Sequence, residues 1–266
     1  MKLYKIWTSE KGKIVVDGEE KEVICYGGSN ASLGEAKSRA REKIERLQRK
    51  INGDRQVLAD YEVEIREEIL QTIDDKSVIT RNRYGAQVLN AENLMFLDID
   101  KPKATFVSLF KKSDRQQDKA KIFDSIRKLA TSPKYFMFGF RLYETFQGAR
   151  VIVLGKEFDP LGDSTLSIMK EFHCDPLYVA ICRKQNCFRA RLTPKPYRMN
   201  MQSYKVQYPT DGEDVEFRRW LQDYEYQSRN FSSCRFIEQV GPSQAGTDAV
   251  QVHDDITRAT VNLQLA

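Results

Sequence analysis

Residues 93–102 read NLMFLDIDKP: an apolar run, two aspartates divided by an isoleucine, then lysine and proline. A short run of Leu, Met, Phe, Leu and Ile reads as a strand, and Lys101-Pro102 marks its end. Aspartate is a poor strand residue, and burying its charge without a partner is costly. Strand side chains alternate, so Phe96, Asp98 and Asp100 share one face while Leu97 and Ile99 take the other. The two acids then stand about 6.6 Å apart along the strand, from its rise per residue. On one face they need a cation, and that cation is either a divalent metal or a set of arginines.

Arginines recur at strand spacing on both sides of this run. In CFRARL, Arg189 and Arg191 alternate with Phe188, Ala190 and Leu192; Arg141 alternates with Phe140 and Leu142. Arg150 opens the strand after Gly148, and Arg81 and Arg83 lie upstream of the aspartates. If these strands share a face, oxygen ligands suited to Mg2+ or Mn2+ stand beside guanidinium groups, a combination that holds a triphosphate. The alternative is an ion-pair lattice in which each aspartate is neutralised by an arginine on a neighbouring strand.

Outward from the core run, the pattern predicts alternating strands and helices. Towards the N-terminus, KLYKIW and VVDGEEKEVICYGG read as strands turning at Asp17-Gly18. Ser32 and Glu35 form a capping box for a helix whose stripe is Ala36, Ala40, Ile44, Leu47 and Ile51. That helix carries seven Lys/Arg and three Glu between Ser32 and Ile51, a basic surface that invites a nucleic-acid reading but more often belongs to a solvated face. VITRNRYGAQVLN predicts two strands around Tyr84-Gly85, and IFDSIRKLA a helix. YFMFGFRLYET and ARVIVL predict a hairpin around Gln147-Gly148, followed by a helix from Asp163 or Ser164 to Phe172. LYVAIC and CFRARL read as two further strands. DVEFRRWLQDYEYQ predicts a helix, and the polar stretch after Gly241 a loose tail until HDDITRA. The expected fold is α+β: a mixed or antiparallel RRM-like sheet, helices mainly on one face and the other face open, preceded by a β-hairpin–helix extension. The expected divisions are residues 1–75, a core at 76–200 and a C-terminal region at 201–266.

With 266 residues, a net charge of +5 and 41% apolar residues, the chain has the composition of an ordinary soluble protein. The charge permits a polyanionic partner without requiring one. No apolar run is long enough to span a membrane, and the charged start predicts a cytoplasmic location. Five cysteines at irregular spacing suggest free thiols; Cys174, Cys182 and Cys187 with His173 could supply zinc ligands but lack the short paired spacing of such sites.

The layout NLMFLDID, helix, FRLYETFQGARVIV, helix, CFRARLTPKP resembles the catalytic core of the archaeo-eukaryotic primase superfamily, from Leu94 to Arg198. That resemblance implies metal-dependent nucleotide or nucleic-acid processing of the primase-polymerase kind. Asp98 and Asp100 match the family's first motif as metal ligands, and Thr145, Gly148 and Arg150 fall where its second motif lies. The family's histidine would be Arg150, which can bind phosphate but, as a permanent cation, cannot share proton chemistry. Asp175 and Asp159 are candidates for a third acid, each beside a proline, where turn duty is the commoner role.

The resulting expectation is a nucleotidyltransferase-like site: Asp98, Asp100 and Arg150 at the chemistry, with Arg141, Thr145, Gly148, Arg189 and Arg191 around the nucleotide and its phosphates. Tyr84 or Tyr143 could stack on a base. Implied ligands are Mg2+ or Mn2+, a nucleoside triphosphate and nucleic acid. Two other readings fit the same residues: a catalytically silent nucleotide or nucleic-acid binder, and a protein-interaction module whose sheet face is salt-bridged.

Overall fold

The computed structural model describes residues 1–54, 64–100, 115–205, 208–209, 214–242 and 247–266. The chain is α+β, with six α-helices and antiparallel sheets among the described residues.

Strands β1 (Ile6–Val16) and β2 (Glu19–Ser29) form the expected hairpin. Asp17 and Gly18 both take positive φ, 54° and 83°, the backbone that a two-residue hairpin turn with right-handed twist requires. Helix α1 (Leu33–Ile51) starts at Ser32, whose hydroxyl accepts from the Glu35 amide at 3.1 Å. The Glu35 carboxylate does not close the capping box; it takes the Ser29 hydroxyl at 2.5 Å and Arg39 at 2.7 Å. Ala36 and Ala40 are fully buried because the helix backbone lies directly on β2. A Cβ on Gly27 would fall 2.0 Å from the Ala36 carbonyl oxygen.

The expected single sheet is two four-stranded sheets. In one, β3 (Glu68–Thr72), β4 (Ser77–Arg81), β5 (Gln87–Ala91) and β9 (Phe188–Arg191) run in that order. In the other, the order is β11 (Cys234–Val240), β7 (Gly139–Thr145), β8 (Gly148–Leu154) and β6 (Met95–Asp100). The divisions at residues 75 and 200 therefore cut through sheets: β3 belongs with β4, and β11 extends the acid-bearing sheet. One hydrophobic core joins both sheets, with Ile79, Leu89 and Phe188 from the first and Leu97, Phe140 and Val151 from the second.

Helices α2 (Arg115–Ala130) and α3 (Asp163–Glu171) add Phe123, Ile126, Ile168 and Met169 to that core. The Phe140 ring stacks on Phe172, just past α3, at 5.3 Å between centroids. LYVAIC is not a strand; it lies within helix α4 (Pro176–Gln185). The Asp175 side chain caps the Leu177 amide, Pro176 occupies the first turn, and Asn186 closes the helix in the left-handed region at φ 49°. These local signals outweigh the β-branched and aromatic content of the run.

After α5 (Val215–Ser228), the two-residue strands β10 (Phe231–Ser232) and β12 (Gln264–Leu265) pair in parallel. Helix α6 (Asp248–Thr257) covers the face expected to be open. Its His253 ring lies 5.9 Å from Phe96 and 5.0 Å from Tyr143, both on the aspartate side of the sheet.

Candidate functional site

Antiparallel register lines up one row across the second sheet: Asp98 on β6, Arg150 on β8, Tyr143 on β7 and Phe236 on β11. Asp100 stands opposite Gly148. At that position a Cβ would fall 2.0 Å from the Ile99 carbonyl oxygen, so only glycine lets β8 begin this close to the acid-bearing strand. The Thr145 hydroxyl accepts from the Gly148 amide at 3.0 Å and tightens the β7–β8 turn. The free edge of β6 is met by the chain entering α4: the Asp98 amide donates to the Cys174 sulfur at 3.3 Å, and the Asp175 amide donates to the Asp98 carbonyl at 2.8 Å.

That edge contact draws a third acid to the end of the strand. Asp98 is half-buried and Asp100 exposed, and neither carboxylate makes an ion pair or hydrogen bond with another described residue. Partial burial of its carboxyl, then the charges of Asp98 and Asp175, push the Asp100 pKa above the ordinary carboxylate range; Lys195 and Arg198 oppose the shift. Among the described residues no three His, Cys, Asp or Glu side chains gather as a metal cage.

Cations surround the acids without pairing with them. Arg150 is 6% exposed, and its Nη1 donates to the Arg191 carbonyl at 3.0 Å and meets His253 Nε2 at 3.1 Å. Arg191 donates to the Thr193 carbonyl at 2.8 Å. Burial, with the like charges of Arg150 and Arg198, presses the Arg191 pKa down to about 10. Arg198 lies 4.4 Å over the Phe146 ring and donates to Gln147 at 3.1 Å, while its buried Nε has no hydrogen-bond partner. Lys195 and Arg198 also flank the exposed Tyr197 ring. None of Arg150, Arg191, Arg198 and Lys195 forms an ion pair with a described residue.

Other expected site residues are committed elsewhere. Arg189 is held by both oxygens of Glu67, at 2.7 and 2.6 Å, and by Gln185 at 3.0 Å. Arg141 binds Asp254 at 2.5 Å, Tyr143 at 2.8 Å and Gln239 at 3.4 Å. Tyr143 is fully buried and offers no ring to a base, whereas Tyr84 is exposed. Arg81 pairs with Glu68 and Glu225. Asp159 serves a turn, accepting from the Leu161 amide at 2.9 Å. Cys174, Cys182 and Cys187 are buried free thiols, and burial pushes Cys182 up to about 11.

Four residues of this region did not stand out in the sequence. Lys195 and Arg198 are spaced as K-P-x-R after β9, on and before a 3-10 turn at Pro196–Met199. His253 and Asp254 arrive from α6, far along the chain. The His253 Nδ1 bonds to Asp254 Oδ1 at 2.9 Å, and Tyr143 donates to the same oxygen at 2.7 Å. Burial alone would raise the Asp254 carboxyl; hydrogen bonds from His253 and Tyr143 and the charges beside it overturn that and hold its pKa low.

Compared with known proteins, the chain matches no family model, no curated protein and no solved structure. Among the described residues no helix is long and apolar enough to cross a membrane.

Proposed function

We propose that the chain binds a nucleoside triphosphate with a divalent cation at the Asp98–Asp100 strand end and carries out primase-polymerase-like nucleotidyl transfer there. One observation carries the reading: among the described residues, acids without cation partners and cations without acid partners occupy the same end of the fold. A protein that only needed these charges for its own stability would pair them, as it does Arg189 with Glu67. The donor set fits Mg2+ or Mn2+, which bind through one or two carboxylates and complete their shells with water and substrate phosphates. A bound cation would supply charge stabilisation at the transferring phosphate. Asp98 and Asp100 would hold it, Arg150 and Arg191 would neutralise phosphate oxygens, and Lys195 and Arg198 would receive the rest of the polyanion.

The test is calorimetric titration of a nucleoside triphosphate with Mn2+, followed by primer-dependent and primer-independent synthesis assays. Absence of saturable triphosphate binding would remove the reading. A second reading, binding without turnover, has its own support. The Asp175 side chain, a candidate third acid, already caps α4 through one oxygen, which accepts from the Leu177 amide. Saturable binding with no nucleotide incorporation on any template would select it.

A further inference from the structure

We propose that His253 and Asp254, on helix α6, are positioning residues that hold Arg150 at the phosphate seat without discharging it. The inference rests on the nucleotide reading above and adds to it a part of the chain outside the resembling region.

An arginine side chain can only donate hydrogen bonds. The 3.1 Å contact between Arg150 Nη1 and His253 Nε2 therefore makes that nitrogen the acceptor. The ring proton then sits on Nδ1 and is donated to Asp254 Oδ1 at 2.9 Å. His253 is fully buried, so water does not compete for either bond. Asp254 is itself fixed by Tyr143 at 2.7 Å and by Arg141 at 2.5 Å, and Arg141 is the charge that compensates it.

The arrangement turns on a neutral imidazole. Full burial and the Arg150 donor at Nε2 favour that form, against Cys234, whose sulfur lies 4.0 Å from the same nitrogen, and Asp254, which draw the His253 pKa above its ordinary value. An arginine paired directly with a carboxylate has its charge largely cancelled and its donors occupied, as Arg189 has with Glu67. Arg150 is instead held by two neutral acceptors, the His253 ring and the Arg191 carbonyl, both at Nη1. Among the described residues its Nε and Nη2 have no partner, and neither is among the buried nitrogens left unsatisfied. The guanidinium is thus fixed at one corner and keeps its full charge, on the strand position opposite Asp98, with donors left over among the described residues. Preorganised donors of this kind bind a developing or resident anion without reorganising.

The test uses the full chain with adenosine triphosphate and Mn2+ in calorimetry. His253→Ala should weaken binding about tenfold, the scale of one hydrogen bond. The same substitution should have no further effect in an Arg150→Ala background, and millimolar imidazole should restore binding to His253→Ala. His253→Gln, which can still accept from Arg150, should retain most of the affinity. Equal affinity in wild type and His253→Ala, or the same loss in both Arg150 backgrounds, would overturn the proposal. A readout without nucleotide separates it from the nucleotide reading. Guanidinium 15N spectra should show a slowly rotating Arg150 in the wild type and in His253→Gln, and a freely averaging one in His253→Ala. An unchanged Arg150 signal in His253→Ala overturns the positioning role even if nucleotide binds. A wild type that binds no triphosphate overturns the nucleotide reading, and with it the role at the phosphate, whatever the spectra show.

Discussion

Asp98 and Arg150 stand directly opposite each other on adjacent antiparallel strands and do not form an ion pair. Opposite charges in that position ordinarily attract and contribute about 0.2–1 kcal/mol. Here the guanidinium is turned to His253 and the Arg191 carbonyl, and the Asp98 carboxylate has no ion-pair partner among the described residues. The ion-pair lattice weighed from the sequence is not how Asp98 and Asp100 are satisfied among the described residues.

The acid pair should respond to metal. Mn2+ or Mg2+ should raise the melting temperature of the wild type by mass action, and Asp98→Asn/Asp100→Asn should abolish the response. Without metal the double variant should be no less stable than the wild type, because the raised Asp100 pKa marks a partly desolvated carboxyl beside like charges, and the substitution relieves both. Marked destabilisation of the metal-free double variant would show that the acids serve the fold instead.

Two arginines of the same sequence pattern should behave differently. Arg150→Ala should cost about 1.5–3 kcal/mol of triphosphate affinity, the worth of charged hydrogen bonds. Arg189→Ala should leave that affinity near wild type and lower folding stability by about 2–3 kcal/mol, because it strands the half-buried Glu67. Urea unfolding alongside calorimetry distinguishes the two; a converse pattern would reverse the assignment of phosphate and structural roles.

Acid stability should report Asp254. Its folded pKa lies below the unfolded value near about 3.9, so it contributes stability above that value and loses it as pH falls through the folded pKa. Asp100 has the opposite sign: its raised pKa makes the fold gain stability as it protonates. Asp254→Asn should therefore flatten the acid limb of a stability–pH curve, whereas Asp100→Asn should steepen it. Superimposable curves for Asp254→Asn and wild type would contradict the depressed carboxyl.

If nucleic acid is the partner, Lys195 and Arg198 should carry part of its electrostatic hold. Single-stranded DNA or RNA affinity should fall steeply with salt, and Lys195→Ala and Arg198→Ala should each reduce the logarithmic slope by about one. Fluorescence anisotropy across a salt series measures this. Slopes unchanged in both variants would move the nucleic-acid path away from this surface.

The Gly148 contact predicts a fold defect close to the site. Gly148→Ala places a methyl group against the Ile99 carbonyl, so β8 and β6 must separate at Asp100. A stability loss of about 2 kcal/mol or more is expected in thermal or urea unfolding, with metal response impaired as well. A fully stable Gly148→Ala would mean the strands can part there freely.

Sequence alone determined what depends on near neighbours. Alternation placed Asp98 and Asp100 on one face; Asp17-Gly18 and Ser32 marked a hairpin turn and a helix start; the α+β order followed from such signals. LYVAIC is helical despite its strand-like composition, because Asp175 and Pro176 start a helix there. Tertiary structure alone decided which charges are spent. Arg189 meets Glu67 across 122 residues and Arg150 meets His253 across 103. Two arginines at identical strand spacing, Arg189 and Arg191, therefore ended in different electrostatic roles. Periodicity says which face a side chain takes, but its partner is set by how distant strands and helices pack, and no local pattern in the chain encodes that distance.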